Sequence, residues 1–215
     1  MKISLLVMGL ALLTLAADDR AEIDNAQVRV RSVTTRAHAK SDLHEYRLNR
    51  VVVFLDGGTE TLTSKDGKEQ KLSWKAGDAR WFPAGSYATE NITDRPFRTV
   101  EVEIKSPASG KPTIWPPRDP VKNDSRDYSS EFENGQVRVL RVKSGPRNLT
   151  PLHEHIANRV SVFLTDAYIK IADADGTATE SRLTAGTAAW GGPTIHTEQN
   201  LNDRPFEVVL IEIKP

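Results

Sequence analysis

Apolar residues in this chain arrive in short runs that alternate with polar ones, and beyond the N-terminus no stretch keeps a long helical period. Val28-Arg-Val30, Val51-Val-Val-Phe-Leu55 and Val100-Glu-Val-Glu-Ile104 are β-branched runs of strand length, and Val208-Val-Leu-Ile-Glu-Ile213 closes the chain in the same way. Clusters of Gly, Asp and Pro separate these runs at roughly ten-residue intervals, the spacing of an all-β sandwich or barrel. Asp56-Gly57-Gly58, Asp66-Gly67 and Asp175-Gly176 tolerate positive φ, so hairpin turns are predicted at all three.

The pattern is written twice, at a constant offset of 109 positions (Asn134 against Asn25). Asn25-Ala-Gln-Val-Arg-Val30 returns as Asn134-Gly-Gln-Val-Arg-Val139, and Asn49-Arg-Val-Val-Val-Phe-Leu55 as Asn158-Arg-Val-Ser-Val-Phe-Leu164. Trp81 pairs with Trp190, Asp94-Arg-Pro-Phe97 with Asp203-Arg-Pro-Phe206, and Glu103-Ile-Lys105 with Glu212-Ile-Lys214. Two copies of roughly 85 residues are too few and too long for a solenoid. Each is therefore read as a small β domain, 18–105 and 129–215, joined by a Pro-rich linker, 106–128, in which Ile114-Trp115 is expected to pack on a barrel. What both copies keep is read as scaffold, the two tryptophans and the Asp-Arg-Pro-Phe segments included. What one copy alone carries is a candidate for function.

Charge and composition narrow the partners. Lys plus Arg equals Asp plus Glu at 29 each, so nothing electrostatic points to nucleic acid or an anionic membrane surface. The N-terminus has Lys2, a short apolar run and small residues before Asp18-Asp19, with Thr14-Leu-Ala16 as a cleavage site. Residues 1–17 are thus expected to be a signal peptide, too short for a spanning helix, and the mature protein to be secreted or periplasmic and free of the membrane. The chain has no Cys, which excludes a disulfide framework.

The five histidines are His38, His44, His153, His155 and His196. On a strand, His153 and His155 point the same way, and with a third histidine from a later strand they can hold a divalent transition metal on one face. His38 lies in a polar stretch and reads as a solvated side chain. His153-Glu-His155 with Gly145 upstream, and Gly186, His196 and Asn200 further on, resemble the two motifs of the cupin superfamily. The tandem copies resemble a bicupin over nearly the whole mature chain. That resemblance implies two jelly-roll β-barrels and a metal, Fe, Mn, Ni or Zn, at His153, His155 and His196, though the residues themselves leave open whether any metal binds. The chain departs from the family pattern in three places: Arg159 stands where an acidic ligand belongs, the loop before His196 is one residue short, and Gly192-Pro193-Thr194 replaces Pro-x-Gly. The first repeat keeps the turn residues Gly77, Pro83 and Gly85, but Tyr46 and Tyr87 fill its histidine slots and only His44 survives. Any metal is therefore expected in the second barrel alone.

Strand parity puts Arg159 on the inward face with His153 and His155. A permanent cation beside a divalent ion is repulsive unless an anion lies between them. One reading makes Arg159 the clamp for a small carboxylate or enolate substrate in a dioxygenase-, isomerase- or lyase-like reaction. The other makes it scaffold, as Arg50 at the same place in the first repeat suggests, and the protein a non-catalytic ligand-binding or structural bicupin. Single-barrel cupins commonly pair through their sheets, so two copies in one chain are expected to pair internally and leave a monomer.

Overall fold

A computed structural model describes residues 22–214, so the expected signal peptide lies outside the described residues. The first repeat contains nine strands: β1 (Ile23–Asp24), β2 (Val28–Thr35), β3 (His44–Tyr46), β4 (Arg50–Phe54), β5 (Gly58–Ser64), β6 (Glu69–Trp74), β7 (Ala79–Phe82), β8 (Gly85–Asn91) and β9 (Phe97–Ile104). A short helix α1 (Pro120–Asn123) follows. The second repeat contains β10 (Tyr128–Glu133), β11 (Val137–Ser144), β12 (His153–His155), β13 (Asn158–Phe163), β14 (Ala167–Asp173), β15 (Ala178–Leu183), β16 (Ala188–Gly191), β17 (Thr194–Asn200) and β18 (Phe206–Ile213). Among the described residues no helix is long and apolar enough to cross a membrane.

Each repeat folds as two antiparallel sheets in jelly-roll order. The sheets β1-β2-β9-β4-β7 and β3-β8-β5-β6 form the first barrel, and β10-β11-β18-β13-β16 and β12-β17-β14-β15 the second. Register repeats with the sequence: Val28 faces Ile104 across one ladder, and Val137 faces Ile213 across the other. Two of the three expected hairpins form, with Gly67 and Gly176 at φ of 79° and 89°. The third does not. Asp56-Gly57-Gly58 carries the chain from one sheet to the other, and a Cβ at Gly58 would stand 2.8 Å from the Trp74 ring. Close approach of an indole, not turn geometry, requires glycine there.

Strand alternation gives the five-stranded sheets two buried faces. Val28, Val30, Val51, Val53, Val100, Val102 and Ile104 of the first barrel form one continuous core with Val137, Val139, Val160, Val162, Val209, Ile211 and Ile213 of the second. The intervening residues face the barrel interiors, where Phe54, Trp74 and Phe97 fill the first and Leu140, Phe163 and Phe206 the second. Polar links at the rim of the shared core are reciprocal: Asn49 Nδ2 donates to Gln136 Oε1, and Asn158 Nδ2 to Gln27 Oε1, each at 2.5 Å. At ~1.5–3 kcal/mol for each fully buried Val or Ile, the apolar seam outweighs these rim bonds many times over.

Residues between the repeats fold against the second barrel. Trp115 lies flat over the Arg138 guanidinium, Asp119 is buried, and Tyr128 already belongs to β10 and to the barrel core. Of the pair expected to pack, Ile114 instead stands 88% exposed, because the prolines that follow turn only the indole inward.

Candidate metal and ligand site in the second barrel

The site is assembled from five strands, β10, β12, β13, β17 and β18. β12 pairs with β17 so that His153 lies opposite His196, and β12 alternation brings His155 to the same side. One ligand nitrogen from each of the three imidazoles lies within 4.8 Å of the others, and all three side chains are buried. His153 Nδ1 bonds the Pro151 carbonyl at 2.9 Å, and His155 Nδ1 bonds Glu212 Oε1 at 2.8 Å. A neutral imidazole that donates from Nδ1 presents its Nε2 lone pair for coordination, and on His153 that lone pair faces the Tyr128 hydroxyl. His196 Nε2 is buried with no hydrogen-bond partner. The donor set fits a borderline divalent ion.

Electrostatics keep these rings neutral. Burial holds His153 at about 4, against the opposing effect of its Pro151 hydrogen bond, and burial together with the other two imidazoles holds His196 at about 2. His155 is likewise lowered by burial, although its bond to Glu212 works the other way. Burial alone would raise the Glu212 carboxyl, but the hydrogen bonds from His155 and Arg138 outweigh it and hold Glu212 below its usual range. Neutral imidazoles beside an ionised carboxylate form a site poised for a cation.

A cavity of about 230 Å³ opens beside the histidines, lined by His155, His196, Arg159 and apolar walls that include Ile169, Ile171 and Leu183. Arg159 is buried, donates from Nη1 to the Gly192 carbonyl at 2.5 Å and lies against Gly191, where a Cβ would come 3.2 Å from its Cζ. Three residues that the sequence reading missed complete the site. Tyr128 places its hydroxyl 3.3 Å from His153 Nε2. Glu198, two residues from His196 on the same strand face, lines the cavity, and desolvation pushes its carboxyl up to about 7. Glu212 is fully buried behind His155. Parity from His196 was the available signal for Glu198, whereas nothing local marked Tyr128.

Equivalent positions in the first barrel carry aromatic rings instead of imidazoles, around a cavity of about 490 Å³ lined by Leu62, Leu72, Trp81, Phe82 and Tyr87. Tyr46 and Tyr87, in the slots of His155 and His196, stack on each other at 4.6 Å, and the Arg50 guanidinium packs 3.6 Å from the Tyr46 ring centre. Phe82 replaces Gly191, and Arg50 meets Glu101 at 3.5 Å. The two arginines thus hold one strand position and do different things. His44 is exposed at its strand, and His38 meets Asp94 at the surface. Trp190, expected in the core, is instead 37% exposed and lines the cavity rim, because β16 is an edge strand.

No known family model matches the sequence, and no curated protein does. Among solved structures, AerE from Microcystis aeruginosa superposes with a TM-score of 0.62 at 12% identity, over 87% of this chain and 88% of that one. Bacillus subtilis oxalate decarboxylase, described with Mn(II) centres, gives 0.61 at 12% identity, over 87% of this chain and 69% of that one. A cupin 2 conserved barrel domain protein from Leptotrichia buccalis gives 0.54 at 11% identity, over 89% and 86%. At such identities the likeness speaks for the fold. With two tandem jelly-roll barrels and these neighbours, the chain has the fold of the cupin superfamily in its two-barrel, bicupin form.

Proposed function

We propose that the second barrel binds a divalent transition metal through His153, His155 and His196, and acts on a small carboxylate or enolate held between that metal and Arg159. The observation that carries this reading is the unpartnered Nε2 of His196, buried among two imidazoles whose tautomers are already fixed by Pro151 and Glu212. A bound dication supplies Lewis acidity toward an anion oxygen. Arg159 offers the anion a buried guanidinium, Glu198 presents a carboxyl to the same cavity for proton transfer, and Ile169, Ile171 and Leu183 limit water. At about 230 Å³ the cavity is smaller than the ~300–1,000 Å³ common for larger ligands, which favours a small acid. Bearing Arg159 in place of an acidic ligand, the site suits oxygenation or isomerisation of such an anion. Elemental analysis of untagged protein, followed by calorimetric titration with small carboxylates, tests it. One metal per chain and metal-dependent carboxylate binding are expected. Carboxylate binding without any metal would instead identify a non-catalytic ligand-binding barrel.

We further propose that the protein is exported and monomeric. Lys2, the apolar run and Ala16 support a mature N-terminus near Ala17 or Asp18, which N-terminal sequencing of native material checks. The shared valine core occupies the sheet faces that lone barrels would use to pair, so light scattering at low micromolar concentration should find the monomer mass.

A further inference from the structure

We propose that the segment between the two barrels is a working part of the metal centre, with its Asp119 acting through Arg138 and Glu212 as a positioning residue for His155. The inference rests on the metal reading above and adds who sets the ligand. Arg138 donates from Nε to Glu212 Oε2 and from Nη2 to Asp119 Oδ2, both at 2.6 Å, and Glu212 Oε1 is left for His155 Nδ1 at 2.8 Å. All four side chains are buried. The Trp115 ring centre lies 3.3 Å from the Arg138 guanidinium carbon and fixes the plane of the fork.

Arginine prefers to grip a carboxylate with two parallel bonds. Asp119 prevents that here by taking Nη2, so that one oxygen of Glu212 stays available to the imidazole. Without the Asp119 charge the fork can close on both oxygens of Glu212 and withdraw the acceptor that holds the His155 tautomer. With Arg159 on the other side of Glu212, the two carboxylates and two guanidiniums beside the three imidazoles balance in charge.

Anchoring of the segment supports the assignment. Glu154 N donates to the Arg118 carbonyl at 2.9 Å and Asn123 Nδ2 to the Leu152 carbonyl at 2.8 Å, which ties the segment to the strand that bears both His153 and His155. The first barrel has the matching Arg29 and Glu103 in a different arrangement. Arg29 there is 44% exposed, pairs with Asp24 at the surface and stands 3.8 Å from Glu103, while Tyr46 holds the histidine slot. Only the barrel with three imidazoles receives Asp119 and Trp115.

The test is Co(II) titration of the full-length protein, read by affinity and by the visible ligand-field spectrum, in wild type, Asp119→Asn, Glu212→Gln and the double variant. Asp119→Asn should weaken Co(II) by ~10-fold or more and shift the spectrum. The double variant should bind no more weakly than Glu212→Gln alone, since Asp119 works only through that carboxylate. Glu133→Gln, which removes the Lys214 ion pair nearby, controls for loss of stability alone and should leave both readouts at wild-type values. Should Asp119→Asn fail to fold, Trp115→Leu frees the same guanidinium and is judged by the same criteria. Unchanged affinity in Asp119→Asn, or losses that add in the double variant, would overturn the relay. A wild type that takes up no Co(II) would overturn the metal reading itself, and the relay with it.

Discussion

Across the large sheet of each barrel runs the same row of side chains, Arg29–Glu103–Arg50 in the first and Arg138–Glu212–Arg159 in the second, and the row serves opposite ends. In the first barrel it terminates at Phe82, and Tyr46 and Tyr87 stack over Arg50, so aromatic rings cover the cation and no imidazole cluster forms. In the second it terminates at Gly191, which gives Arg159 room to lie flat while His155 and His196 line the cavity. The difference teaches that a few positions at the barrel mouth decide whether an identical framework carries an aromatic stack or an imidazole cluster.

The comparison can be broken first at what the barrels share. Val160→Asp or Val51→Asp puts an unpaired carboxylate in the common core, where both valines have no exposed surface. Each should cost more than ~4 kcal/mol and abolish the cooperative melt of the whole chain. Calorimetry that found the untouched barrel still melting on its own would show that the seam does not couple them.

Next comes the metal. His155→Ala should lose metal affinity by ~100-fold or more, whereas His44→Ala, at an exposed site in the first barrel, should retain it at wild-type stoichiometry in elemental analysis. Equal losses would place the ion between the barrels.

The arginine pair sharpens the contrast further. Arg159→Gln should weaken a small carboxylate by ~1.5–3 kcal/mol in titration calorimetry while leaving the melt nearly unchanged. Arg50→Gln should do the reverse, lowering the melting temperature by about 4–8 °C through loss of a desolvated cation–π contact. A shared destabilisation with unaltered ligand affinity would make Arg159 scaffold as well.

The smallest effect concerns Glu60, whose carboxyl is pushed up to about 7 by desolvation and by Glu101. A carboxyl raised in the folded state gives stability that is full below about 4.5 and is lost as pH rises to about 7. Glu60→Gln should therefore flatten the melting temperature between those pH values, by an amount on the order of 1 kcal/mol once solvent screening is allowed for. An unchanged pH profile would show that Glu60 is not desolvated.

The all-β, two-barrel fold was legible because strand-length alternation and an uninterrupted repeat leave few other ways to bury the valines. His153, His155, His196 and Arg159 were legible for the same reason, since parity alone sends them inward. The repeat misled where it had seemed most useful. Arg138 and Glu212 recur as Arg29 and Glu103, so they read as scaffold, yet a histidine in place of Tyr46 turns that pair toward the three-histidine cluster. Asp119 and Tyr128 were hidden by the opposite error: with no counterpart in the first repeat and prolines on one side, they looked like linker. Contacts such as Asp119 with Arg138 arise only when a loop folds back, and no local pattern encodes them.

The valine seam has a consequence for how such a protein can change over generations. Were the barrel a homodimer, one gene would write both pockets, and every substitution at the mouth would appear twice. Joined in one polypeptide, the seam residues of each half constrain the other, while side chains on the reverse face of the same strands answer to nothing across the interface. One barrel can thereby carry a stacked aromatic pair where the other carries imidazoles, and duplication becomes a licence for inequality.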